Sequence, residues 1–528
     1  ATDFESGLQI NPSGQVNISV KLMFGKNSDL PMVKSKIEEL GGRIYNVTEQ
    51  GPTFPAEIYC WIKPENIITL SEVHSIVYIG SLSKGLYWKA PTTEIITPGY
   101  GQLEADITYT RFGLTGNGVK VGTISDGASS RTAVKNAGEL PFVSVRTGNE
   151  GTANANEGTG MMEIIHDLAP NASLYFAGLV LAETAPNVMA NKINELATDG
   201  CSVIVDDIPN YDGSFFSNQT PLGLAIYDFI TAGNTYVAAT GNDQKDLYNG
   251  VATFDANYYL KFNDNSTSIL VNVPAKNEIN IYLQWSTKWE LPSTDLDIYA
   301  FDGVTPVGMG GTTRQADHVN PKEKLTISNT SNLPITYTIK IKSYTVTPQT
   351  DLEYTFIIPG YSFPDNNISN TGPHHVFGHR AFPGVISVAA YNADQPLVLA
   401  DYSSQGKALM DGVWQNTPTI TATSNVDTYV GLNGLWKGPN GESRNPFGGT
   451  SAAAPHVAGL AALYYQKFST NTGTNFYTHL TTSAKTLNST YGPGGTYNEK
   501  CGFGKASIYE TIIKALPVQN YNNQTLTT

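Results

Sequence analysis

From Asn445 to Gln466 the sequence reads NPFGGTSAAAPHVAGLAALYYQ. It runs a glycine-rich turn into a helix. The adjacent glycines Gly448 and Gly449 permit a tight turn that brings the backbone close to a ligand. Thr450 and Ser451 follow at the expected helix start, where hydroxyls cap free N–H groups. Pro455 is expected in the first turn, where its missing N–H matters little. Val457, Leu460, Ala461 and Leu463 then make the helix largely apolar, which predicts that it is buried. A serine at the start of a buried helix sits at the positive end of the dipole, among backbone N–H groups. That setting suits a nucleophile whose attack on a carbonyl creates an oxyanion. An ordinary helix cap needs one hydroxyl residue and leaves the rest of the string unexplained.

The chain has 528 residues, enough for two or three domains with substantial cores. The formal net charge is −14, which argues against nucleic acid and anionic membranes as partners. No run approaches the apolar length of a membrane span. The cysteines Cys60, Cys201 and Cys501 are too few for a disulfide framework and lack zinc spacing.

Residues 1–84 are expected to hold a small α+β domain. Ile18, Val20, Leu22 and Phe24 alternate as in a strand, and Val33, Ile37 and Leu40 share a helical face. RIYNVT, AEIYCWI and SIVYIG follow as strands, with a short helix opened by Pro64. The order βαββαβ predicts a ferredoxin-like sandwich. Residues 85–105 lack periodicity and are expected to be a linker, and 517–528 a polar tail.

In 106–246 and 360–516, strands and helices alternate, which predicts a doubly wound parallel sheet with helices on both faces. GNGVKVGTISDG is a strand ending at Asp126, CSVIVDDIPN one ending at Asp206 and Asp207, and YVAATGND one leading to Asn242. Glu157 in NEGTGMMEIIHDLAPNASLYFA opens a helix, as Ser451 does. Ligands bind beyond the carboxyl ends of such strands, so Asp126, Glu157, Asp207, Asn242 and Ser451 should gather on one edge. His166 lies more than two turns along its helix from Glu157 and is assigned to the core or helix end. For His374, His375 and His379 a loop is the favoured reading, with packing of His379 near the site as the alternative.

Residues 247–359 change pattern to successive period-two strands, such as INIYLQW and ITYTIKI, with turns at Pro292, Gly303 and Pro334. This predicts an inserted β-sandwich, resembling the jelly-roll modules attached to secreted peptidases. Asp295, Asp297 and Asp302 could hold a structural calcium ion, although solvated carboxylates are the favoured reading.

The GTSAAAPHVAG string closely resembles the nucleophile motif of subtilisin-like serine peptidases. The Asp126 strand is similar to that family's first catalytic strand. Aligned without a gap, however, Ser125 takes the family aspartate's position and Asp126 falls one residue later. Gly158-Thr159, Ala169-Pro170 and SLYFA match the family's second motif, but Glu157 stands where the family has histidine. A glutamate there resembles sedolisins, the acid-adapted relatives with a Ser-Glu-Asp triad. Met161 occupies the place of the sedolisin aspartate, and YVAATGND looks like the subtilisin oxyanion strand. The resemblance implies a secreted serine endopeptidase acting on protein or peptide substrates, with no cofactor needed for its chemistry. It implies Ser451 as nucleophile, Glu157 as base, Asp126 as its acid partner and Asn242 as oxyanion donor. Asp207 and Asp206 remain alternatives as second acid or as part of the substrate strand. The pH optimum is expected at about 4–6, below that of a histidine base. The N-terminal domain is expected to be an intramolecular inhibitor and folding aid. A pseudopeptidase scaffold and a peptide ligase are the competing classes.

Overall fold

A computed structural model of the chain describes residues 13–23, 25–50, 56–81, 95–179, 186–262, 265–310, 320–345, 351–361, 363, 374–394, 396–432, 446–469 and 473–516. Phe24, residues 85–94 of the expected linker and the expected tail lie outside them, while 95–105 are described and include a short helix at Gly99–Gln102. The described residues fall into two compact units, one within Ala1–Glu94 and Thr108–Gly113, the other within Ile95–Ile107 and Leu114–Thr528. Among the described residues no helix is long and apolar enough to cross a membrane.

The first unit contains β1 (Val16–Leu22), a helix at Leu30–Glu39, β2 (Arg43–Thr48), β3 (Glu57–Ile62), a short helix at Ile67–Ser71 and β4 (Ile76–Ser81). Its antiparallel sheet has the order β2-β3-β1-β4, the ferredoxin-like arrangement that βαββαβ predicts. Alternate residues Ile18, Val20, Leu22, Ile58, Cys60 and Ile62 bury one face against Val33, Ile37 and Leu70.

The second unit is built on β5 (Lys120–Ser125), β6 (Val143–Val145), β7 (Ser173–Gly178), β8 (Val203–Asp206) and β9 (Thr235–Ala239). An insertion holds β10 (Leu247–Val251), β11 (Ile269–Val273), β12 (Asn277–Trp285), β13 (Leu296–Asp302), β14 (Thr305–Gly310), β15 (Lys322–Asn329), β16 (Ile335–Ser343) and β17 (Glu353–Ile357). The chain then returns through β18 (Ile386–Asn392), the hairpin β19 (Ala408–Met410) and β20 (Val413–Gln415), and β21 (Ile420–Ser424). The main sheet has seven parallel strands in the order β21-β18-β9-β8-β5-β7-β6. The order reverses at β5, so the crevice beyond its carboxyl end is a topological switch point.

The insertion forms two four-stranded antiparallel sheets, β10-β17-β12-β15 and β11-β16-β13-β14. Leu283, Trp285, Ile298, Ile339, Ile341 and Phe356 fill the space between them. The sandwich also grips the chain that follows β8. Gln284 Nε2 donates to the Gly213 carbonyl at 2.6 Å, Phe215 N–H donates to Gln284 Oε1 at 2.8 Å, and Lys322 Nζ donates to the Asp212 carbonyl at 2.7 Å. Asp297 accepts from Tyr299 Oη at 3.2 Å. The described residues assemble no group of three His, Cys, Asp or Glu side chains able to hold a metal.

The helix Thr450–Lys467 is buried from Thr450 through Tyr464, packed between the main sheet and the helix Glu157–Leu168. Its small residues allow that closeness. A Cβ at Gly459 would lie 2.9 Å from Leu168 Cβ. Two local expectations fail. The N-cap is Gly449 and no side chain caps the helix, because the Thr450 hydroxyl is drawn towards Asn242 instead. Pro455 lies inside the helix as its sixth residue, not in the first turn. The absent N–H would have bonded to the Ser451 carbonyl, so that carbonyl lacks its helical donor.

Candidate active site

Asp126, Asp207 and Asn242 follow β5, β8 and β9, which lie side by side in the sheet. Pairing of Ile124 with Asp206 sets the ends of β5 and β8 level, and pairing of Asp206 with Ala238 does the same for β8 and β9. The Glu157 and Ser451 helices start at the same edge. All five residues picked out as converging in the sequence therefore meet.

Asp126 serves the start of the Glu157 helix. Its Oδ1 accepts the Glu157 N–H at 3.2 Å, while the helix N-cap Asn156 makes no side-chain cap. Burial pushes the Asp126 carboxyl upward, and the N–H groups of Gly127, Glu157 and Gly158 pull it back. The helix approaches the sheet closely because residue 158 is glycine. A Cβ there would fall 2.3 Å from the Phe176 ring and 2.9 Å from the Gly127 carbonyl.

The Glu157 carboxyl is pushed up to about 7, chiefly by burial. The Ser451 hydroxyl acts against this directly, the Asp126 charge adds to it, and Asp207 opposes it through its side chain. Asp207 is itself held well above the ordinary carboxylate range, by burial first and then by the charges of Glu157 and Asp126. Both its oxygens, like Ser125 Oγ, are buried without a closed hydrogen bond, so the downward pull of Ser125 acts across a longer gap. Three carboxyl groups thus share one small region beside Ser451, and the group next to the hydroxyl has an affinity for protons near that of an ordinary histidine.

Asn242 is exposed, and its Oδ1 accepts from Thr450 N–H at 2.9 Å and from Thr450 Oγ1 at 3.1 Å. A backbone N–H can only donate, so the oxygen faces Thr450 and the NH₂ group is turned outward. Gly449 has φ +82°, and a Cβ on it would lie 3.0 Å from Asn242 Nδ2. The turn before the serine is pinned on both sides. Gly449 N–H donates to Tyr402 Oη at 3.1 Å, and Ser424 Oγ donates to the Gly449 carbonyl at 2.9 Å.

Asp206 stands apart from this group. Its Oδ1 meets His379 Nε2 at 2.9 Å and accepts the Ile208 N–H at 3.2 Å. It holds its loop and not the serine. His375 lies in a loop as expected but is buried, and His379 sits in a buried helical turn at Gly378–Ala381, each 2% exposed. A charged partner for His379 sits within β8, far along the chain, which no local pattern reveals. His456 is buried between the Ala452 carbonyl, 2.7 Å from Nδ1, and Thr97 Oγ1, 2.9 Å from Nε2. Burial lowers His456 and His166 to about 4. Tyr402 and Ser424, and the partner of the Thr450 hydroxyl, were missed in the sequence because a hydroxyl residue in an apolar strand or turn carries no signal of its partner.

The seven-stranded parallel sheet with the Ser451 helix buried against it is a subtilisin-like α/β fold. The subtilase family matches residues 149–504, and the chain belongs to that family. The matched region includes Glu157, Asn242 and Ser451 and begins after Asp126. Fervidolysin of Fervidobacterium pennivorans is 31% identical over 160 residues, which are 29% of this chain and 21% of fervidolysin. The chain thus aligns with only about a fifth of that relative's length. The structure of the CspB protease of Clostridium perfringens shares the fold with a TM-score of 0.51 at 14% identity, over 78% of this chain and 96% of CspB.

Proposed function

We propose that the chain is a serine peptidase of sedolisin-like design, in which Glu157 replaces histidine as the general base. The observation that carries this reading is the placement of Glu157 at a helix start held by Asp126 Oδ1 at 3.2 Å, beside the Ser451 hydroxyl, with its carboxyl pushed up to about 7 by burial. A base poised near the working pH is the most effective one. Ser451 Oγ attacks the peptide carbonyl while Glu157 takes its proton. The oxyanion is held by Asn242 Nδ2 and the Ser451 N–H. Glu157 then gives the proton to the leaving amine, and water resolves the acyl-enzyme by the same steps in reverse.

Asp126 and Asp207 divide the work of the second acid. Asp126 fixes the backbone of Glu157 at the helix start, and Asp207 is coupled to the Glu157 side chain through its charge. Carboxyls this close cannot both ionise easily, so they titrate as one unit. With Glu157 raised to about 7, we place the acid limb of the rate profile near neutrality, above the expected optimum of about 4–6. We place the substrate among extracellular proteins or peptides. We read the N-terminal unit, a ferredoxin-like sheet upstream in the sequence, as an intramolecular inhibitor and folding aid.

Labelling with a fluorophosphonate tests the assignment. Wild type should label, and Ser451→Ala and Glu157→Ala should not. Absence of labelling in wild type across pH 5–9, with residues 1–84 removed, would favour a scaffold that has lost turnover. Release of a transferred product to an added amine, with no hydrolysis, would favour the ligase.

A further inference from the structure

Residues 240–243 form the turn that carries Asn242; Thr450 holds Asn242 Oδ1, and the other three residues are tied down around it. Gly241 N–H donates to Thr450 Oγ1 at 3.1 Å, and Ser404 N–H donates to the Gly241 carbonyl at 2.9 Å. Asp243 N–H donates to Ser404 Oγ at 3.1 Å. Under the turn lies Arg380, 3% exposed, beside Asp243, 4% exposed. A single nitrogen, Arg380 Nη1, donates to Asp243 Oδ2 at 2.8 Å and to the Thr240 carbonyl at 3.1 Å. The other carboxylate oxygen, Asp243 Oδ1, accepts from Tyr211 Oη at 3.0 Å. The guanidinium also stacks over Phe377, 5.0 Å from the ring centroid. Gly241, at φ +99°, is seated on this pair so tightly that a Cβ would fall 2.1 Å from Arg380 Nη1 and 2.4 Å from Asp243 Oδ2.

We propose that Arg380 and Tyr211, meeting at Asp243, are positioning residues that aim the Asn242 amide at the reacting carbonyl oxygen. The inference rests on the reading of Asn242 as oxyanion donor. A buried ion pair is weak evidence for stability and is better explained where it fixes a geometry. Here the fixed geometry is a turn whose one outward side chain is Asn242. A hydrogen-bond donor misplaced by a fraction of an ångström loses much of its effect on a transition state. Tyr211 also ties the turn to the inserted sandwich, since its ring stacks on Tyr282 of β12 with centroids 5.3 Å apart. The sandwich is thereby a second support for the oxyanion turn as well as an appended module.

Fluorophosphonate inactivation gives a readout independent of substrate preference, resolved into a maximal rate and a half-saturation concentration. Arg380→Gln should lower the maximal rate about tenfold and Tyr211→Phe about threefold, with half-saturation moved less than about twofold. In an Asn242→Ala background the same substitutions should change the rate less than about twofold, because the donor they aim is gone. Equal losses in both backgrounds, or no loss in either, would overturn the positioning role. Should Arg380→Gln fail to fold, the Tyr211→Phe pair of measurements decides alone, since it removes one hydroxyl and no charge. If Asn242→Ala itself leaves the maximal rate unchanged, the oxyanion reading falls, and the positioning role falls with it.

Discussion

Replacing Glu157 with glutamine should abolish labelling of Ser451 and yet make the fold more stable at alkaline pH. In the folded chain the Glu157 carboxyl is raised from 4.5 to about 7, a difference of about 2.5 pK units. Each unit is worth about 1.4 kcal/mol, so the ionised form is disfavoured by up to about 3 kcal/mol. Glu157 is only half-buried and titrates together with Asp207, so about 2 kcal/mol is the fair expectation. The folded state holds this proton more tightly than the unfolded chain does. The stabilising contribution is therefore full below about pH 4.5 and is lost as pH rises through about 7. Glutamine has no proton to lose. The comparison is made in Ser451→Ala to prevent self-digestion, and losing the hydroxyl that draws Glu157 down only enlarges the shift. Urea unfolding followed by tryptophan fluorescence should show the two proteins alike at pH 4.5. At pH 8.5 Glu157→Gln should be the more stable by about 2 kcal/mol. A gap of the same size at both pH values, or greater stability of the glutamate form at pH 8.5, would refute the argument.

Asn242→Ala should lower kcat by about 3–4 kcal/mol of transition-state stabilisation and leave KM nearly unchanged in hydrolysis of a peptide anilide; an unchanged kcat would make Asn242 a turn residue only. Gly449→Ala puts a Cβ 3.0 Å from the Asn242 amide at φ +82° and should lower kcat at least about tenfold, as read in the same assay. Deleting residues 1–84 should raise activity or prevent folding, read by labelling and circular dichroism of the truncated chain; no change in either would remove the propeptide role.

Much of the fold was legible because its signals are local. Period-two alternation marked INIYLQW and ITYTIKI, and the buried faces of β12 and β16 carry the residues expected. The βα alternation placed Asp126, Asp207 and Asn242 at one edge because parallel strands end together there. What was not legible depends on partners distant in sequence. Whether the Thr450 hydroxyl caps its own helix or turns to Asn242 is decided 208 positions away. His379 reads as a loop residue until β8 brings Asp206 to its ring. Arg380 did offer a signal, a lone cation inside the apolar run VFGHRAFPGVISVAA, where burial demands a counter-ion. The upward shift of Glu157 was not legible for a related reason, since its burial is a property of the packed helices and not of the motif.

The central claim is that Glu157 activates Ser451, and the pH dependence of fluorophosphonate labelling tests it most directly. Labelling of wild type at subsaturating probe should rise about tenfold per pH unit below neutrality and level off near pH 7, where Glu157 loses its proton. Glu157→Gln should lose this rise and label at least about a hundredfold more slowly at every pH. A glutamine variant that labels with the wild-type profile would contradict the account and return the base to another group.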